Sequence, residues 1–289
     1  DAIAETLTNS LAKLPQLRVI PRTRAFRHRG REVDPVQAGR ELGARAVLTG
    51  RVSLRDNSLN IQTELIDVAG DSQLWGEQYT RPLSEILAVQ EEITRAISVK
   101  LGLRPSGEEQ KKLARRPTEN TEAYQLYLKG RYYWDKRTVG MLQRAAEQFR
   151  QALEKDPTYA LAYAGLAEAY AVYAVYNVTS PAEAAPLAKA AVQEALKLDD
   201  TIAEAHTALA FVRMTYDFDL PGAEQEFRRA LELNPQHPTA HFWYGLYHIA
   251  RRRDEPALAE FRRAQEVAPL SVNVSSYVGW GLLFARRTD

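Results

Sequence analysis

From residue 121 onward, apolar side chains recur at the spacing of an amphipathic helix, and the apolar runs stop at a proline or an aspartate before the next run begins. One such junction is ALELNPQHPTAHFWYGL at residues 230–246, where Pro235 separates two runs. Before each stop, an aromatic or branched residue is followed three positions later by alanine and, five positions after that, by Pro or Asp. The pattern therefore predicts a series of helical hairpins rather than one long helix.

These hairpins are expected to stack, because a single pair of helices cannot bury its own apolar face. Glycine or alanine on the first helix and the alanines on the second permit a close approach, and the aromatic residue fills the space between them. Extra residues near 135–140 and 173–181 lengthen the first two units, which indicates irregular turns there. The units are predicted at about residues 123–157, 158–200, 201–235 and 236–269, with the first helix of a truncated fifth unit at 270–289.

Residues 1–103 follow a different pattern, which predicts a separate α+β domain. Helical spacing alternates here with runs in which every second residue is apolar, and the turn RDNS joins two of those runs as a hairpin. This order predicts a small mixed sheet with helices on one side, followed by a linker at 104–120 and an all-α array at 121–289. The predicted strands are 18–23, 46–54, 58–67 and 72–79, and the predicted helices are 1–14, 34–42 and a helix from Ser84 to Leu101.

Both regions are similar to known families. The hairpins resemble the tetratricopeptide repeat, whose period of about 34 residues equals the spacing between Pro235 and Pro269. The stretches DAIAETLTNSLAKLPQLRVIPRTRAF, LGARAVLTGRVSLRDNSLNIQTELIDVAGDSQLW and ILAVQEEITRAI resemble the TolB amino-terminal-like domain, also called FlgO-like, over roughly residues 1–101. In that family an apolar strand precedes the first helix, and only Asp1-Ala2-Ile3 remains of its motif here. The resemblance therefore implies an α+β domain that lacks its first strand.

The resemblance also implies a context. Domains of this kind followed by tetratricopeptide repeats occur in bacterial multidomain signalling proteins, whose output module is a Ser/Thr protein kinase, an adenylate cyclase or a winged-helix regulator. It implies a location on the cytoplasmic or the periplasmic side of a bacterial inner membrane. The chain begins at Asp1 without methionine, which favours a piece of a longer protein. The run at 160–175 contains Glu168 and is too short for a membrane span, so a buried helix is expected there.

Candidate chemistry is sparse. The chain has no cysteine, which excludes disulfides and thiolate sites, and no glycine-rich phosphate loop or nucleophile-elbow motif. His237 and His241 are four residues apart, as zinc ligands can be, but His241 and His206 occupy equivalent packing positions in successive repeats. We therefore expect packed, hydrogen-bonded histidines, no catalytic residue, no metal and no cofactor.

One basic loop offers a different function. The net charge of the whole chain is only +1, so no global attraction to nucleic acid is expected, but the stretch from Arg18 to Arg31 is rich in arginine and contains Phe26. A solvated or interdomain loop is the preferred interpretation, with nucleic acid or a small anion as alternatives. The candidate contacts of this loop are Arg22, Arg24, Arg27 and Arg29.

The first helices of the array are expected to line a concave groove that binds a protein or peptide partner. The residues predicted to line this groove lack the Lys/Asn/Arg combination with which chaperone-binding tetratricopeptide proteins clamp a terminal carboxylate. An apolar helix or extended segment is therefore the expected ligand. The alternative is that Phe211, Phe242 and Leu246 only pack against neighbouring repeats. The candidate groove residues are Tyr127, Arg131, Trp134, Glu168, Thr207, Phe211, Met214, Phe242, Leu246, Ile249 and Trp280.

The sequence thus favours a non-catalytic interaction and scaffold module of a larger signalling protein. Two other functions remain open at this point. The α+β domain could sense a small molecule or second messenger while the repeats act as a spacer, or the arginine loop could make the chain a nucleic-acid-binding regulator.

Overall fold

The computed structural model describes residues 7, 8, 11, 16–20, 34–56, 58–103, 117–268 and 279. The chain divides into two compact units, one up to Thr121 and the other from Glu122. A three-stranded sheet with helices forms the described part of the first unit, and paired helices form that of the second. Within these residues no helix is both long and apolar enough to cross a bilayer.

The sheet of the first unit is antiparallel throughout, with strand order β1-β2-β3. The prediction of a mixed sheet is therefore wrong for the described strands. Each of these strands follows the previous one through a short turn, and short turns join antiparallel neighbours. Arg18, Val19 and Ile20 form no strand, which corrects the strand predicted at 18–23, and its last residues lie outside the described part. The strands are β1 (Ala46–Arg55), β2 (Ser58–Asp67) and β3 (Ser72–Pro82).

One face of this sheet carries the core of the first unit. Leu59, Ile61 and Leu65 of β2 point to the same side and are buried, whereas the alternate residues Gln62 and Glu64 are exposed. Helix α1 (Pro35–Leu42) begins after Asp34, whose carboxylate accepts a hydrogen bond from the Val36 amide. Helix α2 (Ile86–Lys100) follows a short 3₁₀ turn (Leu83–Glu85) and buries an apolar stripe that includes Val89, Ile93 and Ile97. Leu7, Thr8 and Leu11 are helical, in agreement with the helix predicted at 1–14, whose other residues are not described.

The second unit is a series of helical hairpins. Successive first helices α5, α7 and α9 stack on one another, and each contacts its own second helix. Aspartate or asparagine ends three of the second helices, and Ser180 and Glu183 form a capping box at the start of α6. The helices are α3 (Thr121–Trp134), α4 (Val139–Lys155), α5 (Ala160–Ala171), α6 (Pro181–Leu198), α7 (Ala203–Val212), α8 (Leu220–Leu233), α9 (Pro238–Ala250) and α10 (Asp254–Val267), with a π-helical turn at Arg213–Asp217.

The predicted seam between the helices of a hairpin is confirmed. A Cβ atom added at Gly130 or at Gly165 would lie 2.5 Å or 2.7 Å from the ring of Phe149, so this ring fits between α3 and α5 only because both positions lack a side chain. Gly245 is equally close to Phe261 in the fourth repeat. Burial of such a ring contributes about 1.5–3 kcal/mol, and stacking repeats this contribution along the array.

Candidate functional site: the inner wall of the helical array

The inner wall is the surface formed by α3, α5, α7 and α9, the first helices of the four repeats. The sequence predicted an open groove here. The groove stays a prediction, but in this conformation the side chains of five of the eleven candidate residues are packed into the array, which for Phe211 and Phe242 agrees with the alternative of packing between repeats. The buried candidates are Trp134, Glu168, Thr207, Phe211 and Phe242.

Aromatic side chains close part of the wall. The ring centroids of Trp134 on α3 and Trp243 on α9 are 6.3 Å apart in a perpendicular arrangement, although these helices belong to the first and fourth repeats. The ring of Phe211 on α7 lies 4.3 Å from Trp243, and the guanidinium of Arg137 lies 3.5 Å above Trp134. We name Trp134, Phe211 and Trp243 the aromatic plug, since together they fill the space that an open groove would leave.

A buried ion pair lies on the same wall. Arg131 on α3 binds Glu168 on α5 at 2.5 Å between Nη1 and Oε2, and Glu168 is completely buried. Burial raises the pKa of the Glu168 carboxyl, while the positive charge of Arg131 opposes that rise. Among the described residues, the second carboxylate oxygen, Oε1, has no hydrogen-bond partner. A buried pair of this kind fixes the relative position of two helices, because breaking it leaves an uncompensated charge in the interior.

The candidates that keep some exposure define a narrower surface. Four of them are apolar or aromatic, are partly exposed and pack at the margin of the buried core. Leu246 and Ile249 are three residues apart on α9 and therefore share a helix face. Arg131 is also partly exposed, although its charged end faces Glu168. We name the set of Tyr127, Met214, Leu246 and Ile249 the inner strip.

The remaining candidate residues belong to parts of the chain that the structure does not describe. Trp280 and the arginine loop residues Arg22, Arg24, Arg27 and Arg29 lie outside the described residues. Sequence reasoning missed Trp243, which the predicted groove did not include. Its position beside Phe242 in a run of consecutive aromatics was the available signal, but that signal does not show which ring turns toward the first repeat.

His206 and His241 are packed and hydrogen-bonded, as their equivalent repeat positions predicted. His206 contacts Glu226 and the carbonyl of Asp200, and His241 contacts Glu260 and the carbonyl of Pro235. Nδ1 of His237 accepts a hydrogen bond from the Ala240 amide and thereby caps α9. In the part of the chain that the structure describes, no three His, Cys, Asp or Glu side chains are grouped so that they could hold a metal ion.

Comparison with known proteins agrees with this geometry. Residues 219–271 match the family model described as tetratricopeptide repeat, and this segment contains α8, α9 and α10. The matched segment belongs to the helical array, which follows an α+β unit with a three-stranded antiparallel sheet. The resemblance of that first unit to the TolB amino-terminal-like domain stays a prediction.

One curated relative and two solved structures show what the chain is similar to. A protein of Rhizobium meliloti (strain 1021) named putative adenylate cyclase 3 is 34% identical over 166 residues, which is 57% of this chain and 28% of the relative. The chain thus spans less than a third of that relative's length. A thermophilic tetratricopeptide protein of Thermus thermophilus is 21% identical with a TM-score of 0.45, covering 69% of this chain and 97% of the other. YrrB, a tetratricopeptide protein with an unusual peptide-binding site, is 24% identical with a TM-score of 0.33, covering 52% of this chain and 73% of the other.

Proposed function

We propose that this chain is a non-catalytic module of a larger bacterial signalling protein, and that its helical array binds a protein or peptide partner. The repeat class supports the interaction role, since stacked hairpins expose an extended surface and hold it rigidly. The relative named as an adenylate cyclase supports the signalling context, although the chain covers only 28% of it. An output domain of that type would lie outside the 289 residues of this chain.

The observation that carries the proposal is the inner strip. Its members come from α3, the π-helical turn and α9, are apolar or aromatic, and remain partly exposed beside a buried core. Such a strip suits the apolar face of a partner helix or the alternate side chains of an extended segment. The partner would contact the margin of the inner wall, because the aromatic plug occupies its centre.

The test compares two charge substitutions in the full 289-residue chain. A partner is first captured with the wild-type chain and identified, and its affinity is then measured for the double variant Leu246→Asp/Ile249→Asp and for the control Leu187→Asp. Leu187 is an exposed leucine on α6, a second helix that contributes no residue to the inner strip. We expect the inner-strip variant to weaken binding at least about tenfold, which corresponds to about 1.4 kcal/mol, and the control to bind normally.

Circular dichroism checks that each variant keeps its helices, and Met214→Gln provides a milder change at the same surface if the double variant unfolds. Equal binding by all of these variants would rule out the inner strip. The two alternatives, ligand sensing by the first unit and nucleic-acid binding by the arginine loop, stay predictions, because no described contact favours either.

A further inference from the structure

Two histidines in successive repeats make the same set of contacts. Nδ1 of His206 lies 2.6 Å from Oε2 of Glu226, and its Nε2 lies 2.8 Å from the carbonyl oxygen of Asp200. In the next repeat, Nδ1 of His241 lies 2.6 Å from Oε2 of Glu260, and its Nε2 lies 2.9 Å from the carbonyl oxygen of Pro235. Each ring thus connects the turn before a hairpin to the second helix of that hairpin.

The chemistry of the partners fixes the protonation state that satisfies both contacts. A backbone carbonyl and an ionised carboxylate can only accept hydrogen bonds, so each ring nitrogen must donate one. A neutral imidazole has a single N–H, whereas the imidazolium has two. Rotating either ring by half a turn would place carbon atoms against both oxygens, so a flipped ring loses both hydrogen bonds. At His206 the geometry therefore requires the charged imidazolium.

The surrounding charges agree with this state at His206. Burial opposes the charge, but the hydrogen bonds to the Glu226 carboxylate and to the Asp200 carbonyl outweigh it and raise the pKa of His206 above its ordinary value. Arg229 on α8 acts in the opposite direction, and Arg213 of the π-helical turn lies 3.4 Å from the other oxygen of Glu226.

The fourth repeat has a different set of charges around its ring. The carboxylate that faces His241 is Glu260 on α10, at 2.6 Å. Within the described residues, no lysine or arginine forms an ion pair with Glu260. The charge of this carboxylate also acts on two other side chains of α9, since it raises the pKa of Tyr244 and opposes the lowered pKa of His248.

We propose that His206 is a proton-operated clamp, which holds the third hairpin against its preceding turn when protonated and releases that hold when the proton is lost. This device goes beyond partner binding and starts from the contacts of the His206 ring. A deprotonated ring would place a nitrogen lone pair against an oxygen lone pair, so one of its two hydrogen bonds must break.

The raised pKa of His206 determines how the stability of the folded state depends on pH. A histidine with a folded-state pKa above its unfolded value binds its proton more tightly in the folded state. The stabilisation is therefore fully present below the ordinary histidine pKa of about 6.5 and is lost as the pH rises through the folded-state value. The His206 clamp thus makes the third repeat sensitive to pH between mildly acidic and mildly alkaline conditions.

Nuclear magnetic resonance of the ring nitrogens tests the protonation state directly in the full 289-residue chain. We expect both nitrogens of His206 to report N–H groups at neutral pH, and the His206 ring to titrate above the value for an unfolded histidine. His248 serves as an internal reference, because burial lowers its pKa. A neutral His206 ring at a pH of about 7 would overturn the proposal.

Matched glutamine variants test the consequence. Glu226→Gln supplies an amide that donates to Nδ1, so a neutral His206 can keep both hydrogen bonds and the clamp no longer needs a proton. We expect the wild-type melting temperature to fall by about 2–4 °C between about pH 6 and about pH 9, and Glu226→Gln to lose most of this dependence. The exposed carboxylate of Glu232 gives the control Glu232→Gln, which should behave as wild type. Identical pH profiles for the clamp variant and the wild type would contradict the device.

Discussion

The seams between paired helices and the inner wall of the array are packed in different ways. In the seams, one aromatic ring fits against positions that have no side chain, as Phe149 does between Gly130 and Gly165. On the inner wall, large rings meet across non-adjacent repeats and a charged pair is buried beneath the surface. The seam recurs from repeat to repeat, whereas the aromatic plug and the Arg131–Glu168 pair each occur once among the described helices. The difference indicates that seams hold the repeats together, while the inner wall gives this array its own curvature.

The largest loss of stability is expected from a substitution that disrupts a seam. Phe149→Ala removes a fully buried ring between α3 and α5, and the glycines on either side cannot fill the space. We expect the free energy of unfolding to fall by about 3–5 kcal/mol, measured by urea denaturation. The matched control is Phe218→Ala, since Phe218 is 80% exposed and its loss should change stability by no more than about 0.5 kcal/mol. Similar losses for both variants would show that the seam does not carry the fold.

The seams were predictable from sequence, because their contacts are local. Phe149, Phe227 and Phe261 each follow the same spacing to an alanine and a helix stop, so one hairpin contains all the information that places its ring. The alternation in β2 was equally informative, since Leu59, Ile61 and Leu65 occupy alternate positions, as a one-faced sheet requires.

The inner wall was not predictable in the same way. Whether Trp134 faces solvent or Trp243 depends on the curvature that accumulates over the intervening helices, and small rotations at each repeat add up to that curvature. The long α6 and the π-helical turn after α7 change those rotations, and neither has a sequence pattern that fixes an angle. The burial of Glu168 depends on the same curvature. The sequence alone therefore could not distinguish a buried Glu168 from one that lines an open groove.

A second, smaller effect tests the charged part of the wall. Arg131→Met leaves Glu168 buried without the arginine of its ion pair. We expect the free energy of unfolding to fall by about 3 kcal/mol at neutral pH. This value is at the lower end for buried ion pairs, because the Arg131 side chain is 17% exposed. Burial already raises the pKa of Glu168, and removing Arg131 raises it further. The folded state then binds a proton that the unfolded state releases, so the loss should shrink as the pH falls through that interval.

Urea denaturation at neutral and mildly acidic pH measures this dependence. Lys197→Met is the matched control, because Lys197 pairs with Glu194 on an exposed surface of α6, where such pairs contribute about 0–1 kcal/mol. A pH-independent loss in Arg131→Met would mean that the packing of the arginine side chain, and not its charge, stabilises the wall.

The smallest effect concerns the aromatic plug itself. Trp134→Phe keeps an apolar ring but removes the perpendicular contact with Trp243 and the ring beneath Arg137. We expect the free energy of unfolding to fall by about 0.5–1.5 kcal/mol. The double variant Trp134→Phe/Trp243→Phe should lose less stability than the two single variants lose together, because each single variant already removes the contact between the two rings. Tyr132→Phe, on the exposed side of the same helix, is the control and should leave stability unchanged. If the two tryptophan variants prove strictly additive, the first and fourth repeats do not support each other, and the inner wall would be open enough in solution for a partner to enter between them.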